Sequence, residues 1–177
     1  NELWFLSKER GYKPVKLNHK MSEGMAISKK SLKIAFSQIN VQNPDLAPDA
    51  SRLVVAEIDM SGTTPKIMNE KTVYESKDKN CTIEAQDFYD NDTKMTFICY
   101  EPNGLASVMG IDLTTKQVTN FSKKPGTYNE CEGIIPGNKY TLVEGDRQCD
   151  WLGGKRGSSN IDNWKLKLDD TGRDFVR

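Results

Sequence analysis

The chain has 177 residues, of which 36% are hydrophobic and 28% charged, and its 25 Lys+Arg balance its 25 Asp+Glu. That length supports a real hydrophobic core, and zero net charge removes the usual electrostatic argument for nucleic acid or an anionic membrane as partner. No apolar stretch approaches the roughly 20 residues needed to span a bilayer, and no basic-then-apolar leader opens the chain, so any targeting peptide is expected outside this stretch.

Helical periodicity is nearly absent. Short alternating or β-branched runs recur instead, separated by clusters of Gly, Asn, Asp, Pro and Ser, the pattern of many short strands. The opening residues 3–18 (LWFLSKERGYKPVKLN) read as two strands. Residues 23–38 (EGMAISKKSLKIAFSQ) then give a strand, a polar turn and a second, more apolar strand. The same order returns at 84–100 (EAQDFYDNDTKMTFICY) and at 132–145 (EGIIPGNKYTLVEG). A third strand with an acidic or polar ending follows each time, as VVAEIDMSG, SVMGIDLTTK and NWKLKLDDTG. A short fourth strand comes last, as KTVYES, QVTNFS and RDFVR.

Ile58, Ile111 and Leu166 recur at intervals of 53 and 55 residues, a period suited to a four-stranded blade. One such blade cannot bury both faces alone and must stack against neighbours around an axis. The fold class expected is therefore all-β, a β-propeller of four-stranded antiparallel blades. The boundaries are a half blade at 1–18 and blades at about 19–76, 77–124 and 125–177, some three and a half blades of a larger ring. The opening residues match only the third and fourth strands of a blade, so the chain is expected to begin in mid-blade. The remainder of the ring, or other chains, would complete it.

Residues 26–36 (AISKKSLKIAF) resemble the "P-x-x-S-P-D-G-K-x-I-x-F" sentence of TolB-type, WD-repeat-like propellers. Residues 110–119 (GIDLTTKQVT) resemble the family's third-strand ending "D-L-x-T-G-K-x-x-x-L-T", and 135–140 (IPGNKY) is a third match with its Pro-Asp-Gly order disturbed. The resemblance implies a secreted or periplasmic propeller. Its members serve as protein-binding modules, as gates on peptidases and as polysaccharide lyases, so it narrows function only a little.

Four cysteines, Cys81, Cys99, Cys131 and Cys149, lie far apart without a C-x-x-C pair, and the one histidine, His19, is remote from them in sequence. No metal or cofactor is expected from that pattern. Two disulfides in any of three connectivities, or four buried thiols, both remain open. Both neighbouring pairs are 18 apart, but the repeat alignment puts them at different blade positions, so the spacing reads as coincidence.

The same alignment puts Glu23, Glu84 and Glu132 at one position in three successive blades, at the start of the strand that lines a propeller's channel. Three carboxylates there would ring one channel mouth and hold a cation or a polar ligand. Repetition in every blade equally suits a structural device in which each Glu accepts backbone N–H bonds at a blade junction, and that reading is preferred.

Two long connections, 38–52 and 144–160, are expected on the same face. The second carries Asp146, Arg147, Gln148, Asp150, Trp151, Lys155 and Arg156. An aromatic face stacks on a sugar ring, while Arg and carboxylate groups take hydroxyls or carboxylates. The bland alternative is a solvated loop. His19 is placed at the connection into the first complete blade, without a catalytic partner. Trp4 and Trp164 are expected to pack between blades.

No G-x-S-x-G, H-E-x-x-H, phosphate-binding or dinucleotide glycine motif occurs, so no catalytic residue is assigned. The function expected is non-catalytic recognition of a protein or glycan at the channel face, in a periplasmic or extracellular compartment. The alternatives are the propeller portion of a lyase or peptidase whose catalytic groups lie outside this stretch, and a structural subunit of a larger assembly.

Overall fold

The computed structural model describes residues 2–20, 24–28, 30–39, 50–76, 81–100, 106–122, 129–146, 161–169 and 173–175. Among them there is no helix. Two strands, β1 (Glu2–Phe5) and β2 (Val15–Lys20), pair as a half sheet. Three four-stranded antiparallel sheets follow, each in sequential order. The first holds β3 (Met25–Ile27), β4 (Lys33–Ile39), β5 (Ala50–Asp59) and β6 (Lys66–Glu75). The second holds β7 (Thr82–Tyr89), β8 (Lys94–Tyr100), β9 (Ala106–Asp112) and β10 (Val118–Asn120). The third holds β11 (Asn129–Ile134), β12 (Tyr140–Asp146), β13 (Ile161–Lys167) and β14 (Arg173–Phe175).

The first strands β3, β7 and β11 lie side by side, β7 touching both of the others. These are stacked propeller blades. A two-sheet sandwich is not formed.

Each inner strand serves two cores, which is why these strands read as continuous apolar runs instead of strict alternation. On β8, Met95, Phe97 and Cys99 face the first sheet, where they meet Ala26, Ala35 and Leu53. Ile98 and Tyr100 face the third sheet, joining Val143 and Leu166. On β4 and β5, Ile34, Phe36, Val54 and Ala56 face the half sheet and close over Leu3 and Leu17. The half sheet lacks two inner strands, so it cannot reach the innermost part of the first sheet. Met25 and Ile27 on β3 are accordingly 44% and 52% exposed, and Trp4, on the far side of β1 from Leu3, is 52% exposed.

The expectation that both tryptophans are packed is corrected here. Trp164 does pack against the second core, but Trp4 stands on a face that no blade covers. His19 is also moved, from a connection to strand β2.

Cys81, immediately before β7, and Cys99 on β8 form a disulfide, with Cα atoms 5.8 Å apart. Cys99 pairs with Ile83, so Cys81 is its diagonal neighbour in the hairpin. The 18-residue spacing of this pair is therefore the consequence of hairpin length, not coincidence.

Candidate binding site

Strand directions divide the sheets into a loop end and a turn end. Connections 40–49, 101–105 and 147–160 leave from the loop end, where β7 also begins. Glu84 sits there on β7, half-buried, paired with Ile98 and lying against Gly24 of the first sheet. Asp146 ends β12, paired with Ile161. Glu23, Arg147, Gln148, Asp150, Trp151, Lys155 and Arg156 lie outside the described residues.

The strand register changes the glutamate alignment. A bulge on β7 leaves Gln86 between the pairs Ala85–Phe97 and Asp87–Thr96. The matching bulge on β11 leaves Glu132 between Cys131–Val143 and Gly133–Leu142. Glu132 therefore corresponds to Gln86. The place of Glu84 is taken in the third sheet by Glu130, opposite Glu144. Motif alignment missed this because it counted residues without the bulge.

At the turn end the sheets are joined by polar contacts that the sequence motifs did not reveal. Ser28–Lys33, Tyr89–Lys94 and Ile135–Tyr140 each close a four-residue turn. In the second of these, Asp90, Asn91 and Asp92 all take left-handed backbone, with φ of 50°, 56° and 60°. Asp and Asn tolerate that region best after glycine, which explains a turn without any glycine.

The conformation aims buried Asp92 back at the preceding blade. Its Oδ2 accepts from Ser28 Oγ at 2.5 Å, Ser31 Oγ at 3.0 Å and Ser31 N at 3.1 Å. Lys30 Nζ donates to Asn91 beside it. Burial opposes ionisation of Asp92, but the Ser28 and Ser31 hydrogen bonds outweigh it and the pKa is lowered.

A lowered carboxylate pKa stabilises the fold above the unfolded value near 3.8, and the contribution is lost as pH falls through the folded pKa. Asp92→Ala is expected to cost about 2 kcal/mol in urea unfolding at pH 7, from the loss of charge-assisted bonds. Its stability should fall less steeply than that of the wild type below about pH 4. Equal costs at pH 7 and pH 2 would contradict this role.

The second junction is built differently. Asp87 Oδ2 accepts Ile134 N at 3.1 Å, holding β7 to β11. Beyond that bond, towards the turns, the sheets part into a cleft of about 480 Å³. Tyr89, Asp90 and Lys94 form its wall on the second sheet, and Asn138, Lys139 and Tyr140 face them from the third. Lys94 Nζ holds Asp90 at 2.9 Å, and Lys165 Nζ lies 5.6 Å from the Tyr140 ring centroid. Burial, with the Asp90 and Asp112 carboxylates adding to it, pushes the Tyr89 phenol up to about 12, so it stays protonated and able to donate. Among the described residues no group of His, Cys, Asp and Glu could hold a metal ion.

No family model and no curated protein sequence matches this chain. Solved structures that share its fold include two TolB proteins. A protein assigned as TolB from Agrobacterium tumefaciens superposes with a TM-score of 0.66 at 13% identity, over 99% of this chain and 55% of that one. TolB from Acinetobacter baumannii gives 0.59 at 14% identity, over 99% of this chain and 37% of that one. The fold is that of a β-propeller of the TolB kind, and the chain spans about half or less of the length of these neighbours.

Proposed function

We propose that this chain is part of a non-catalytic propeller that recognises a protein or glycan at the loop end of its blades, in a periplasmic or extracellular compartment. The observation that carries the reading is directional. The two long connections, 40–49 and 147–160, both leave from the end at which β7 presents Glu84. Long loops on one side of a rigid scaffold are where recognition residues collect. The Cys81–Cys99 disulfide suits an oxidising compartment. The uncovered Trp4, Met25 and Ile27 suit a ring completed by further blades.

Glu23, Glu84, Asp146, Arg147, Gln148, Trp151 and Arg156 are the residues proposed to contact the ligand, while Glu132, displaced by the β11 bulge, is no longer counted among them. Calorimetric titration of the full-length protein against candidate glycans and co-purifying proteins tests this. Trp151→Ala combined with Arg147→Ala should weaken binding by about 1–3 kcal/mol, the loss of an anchoring aromatic and a paired guanidinium. Unchanged affinity in the double variant would remove the site from this loop, and turnover of a glycan or peptide would replace the reading by an enzymatic one.

A further inference from the structure

The equivalence of the three turns allows the two junctions between four-stranded sheets to be compared position by position. Ser31, Asp92 and Asn138 are each the third residue after the turn-closing position, which is held by Ser28, Tyr89 and Ile135 respectively. At the first junction, Asp92 ties the second sheet to the first through its bonds to Ser28 and Ser31. At the second, Asn138 stands in the place of Asp92 and Tyr89 in the place of Ser28. A hydroxyl-to-carboxylate clasp cannot form from that pair, and the space there is an open cleft.

We propose that this cleft is a binding site for a neutral, polyhydroxylated ligand of mono- or disaccharide size. Its volume, about 480 Å³, lies within the range of small-molecule sites. The charges on its walls and on the adjoining smaller cavity are balanced. The ammoniums of Lys94, Lys139 and Lys167 are accompanied by the carboxylates of Asp90, Asp112 and Asp169.

Lys94 is held by Asp90, so an anion at Lys94 would have to compete with a resident carboxylate, and a cation would meet the lysines. A ligand whose hydroxyls both donate and accept meets neither obstacle. It can bridge the Asn138 amide, the Lys139 ammonium and the Asp90 carboxylate together. Tyr89, Tyr140 and Leu168 supply the apolar surface that a sugar's C–H face requires.

The proposal goes beyond the loop-end reading, because it concerns other residues at the opposite end of the sheets. It is tested by ¹⁵N chemical-shift titration of the full-length protein with maltose, cellobiose and N,N′-diacetylchitobiose, with inorganic phosphate and spermidine as charged controls. At least one disaccharide should shift the Tyr89, Asn138 and Tyr140 amides, with a Kd of about 0.1–1 mM.

Asn138 has φ of 57°, so Asn138→Gly removes the amide side chain while keeping the backbone it already adopts. This variant and Lys139→Ala should each weaken binding about 3–10-fold, with the melting temperature unchanged. The idea is overturned if no disaccharide shifts these amides at about 10 mM, a concentration that would detect even weak binding. It is equally overturned if both variants bind as the wild type does, or if phosphate or spermidine shifts the cleft residues while the sugars do not. Loss of ligand in the Trp151 and Arg147 variants bears only on the other end.

Discussion

Gly24→Ala should destabilise the full-length protein by about 3 kcal/mol in urea unfolding, a large effect for the addition of one methyl group. Gly24 has φ of +59°, where any residue with a Cβ is strained. An added Cβ would also stand 2.5 Å from Ala85 N and 2.8 Å from Ala85 O. Both are backbone atoms of β7, and they cannot turn aside as a side chain would. Ala85 N already donates to Ser37 Oγ at 3.3 Å, so the neighbouring strand is held in place from the first sheet. Relief requires the first and second sheets to separate, which exposes the core they share. A cost below about 0.5 kcal/mol, the level of an ordinary surface change, would mean that β3 and β7 are not this close.

Phe97→Ala should cost about 4 kcal/mol, the middle of the range for a fully buried aromatic. Phe97 is fully buried on β8 and reaches across the junction, its ring centroid 4.9 Å from that of Tyr74 on β6. Removing it leaves a cavity bounded by two different sheets, and neither can collapse into it without shifting its own hydrogen-bonded partners. The loss should appear as a lower urea midpoint with the slope preserved, because the surface exposed on unfolding barely changes. A cost near that of a surface substitution would place Phe97 outside any inter-blade core.

Much of this architecture was legible in the sequence. The repeated strand, turn and strand segments gave the three four-stranded sheets, since alternation and polar turn residues are local signals that need no partner. The half sheet at the start was legible for the same reason.

Non-local features were less accessible. The bulge that separates Glu132 from the register of Glu84 exists only relative to the neighbouring strand, so counting along the chain misaligned the two. Trp4 and Trp164 occupy similar strands, yet one faces a neighbouring blade and the other does not. The Cys81–Cys99 pairing follows from hairpin length, which became definite only with the register. The cleft was missed because Tyr89, Asp90 and Asn138 read as ordinary turn residues. Their meaning lies in what the equivalent positions do one junction earlier, where Asp92 bonds to Ser28 and Ser31 across the sheets. A signal was present in the turn sequences themselves, in the replacement of Ser-Lys-Lys-Ser by Tyr-Asp-Asn-Asp and then Ile-Pro-Gly-Asn.

A crystal structure of the full-length protein decides whether these sheets are consecutive blades of one larger propeller. In it, β3, β7 and β11 should lie as neighbouring inner strands around a single axis. Two further strands should extend the half sheet inward and bury Met25 and Ile27, and another blade should cover Trp4. A structure in which these three side chains remain in solvent, or in which the three sheets pack face to face as a sandwich without a common axis, would contradict that arrangement.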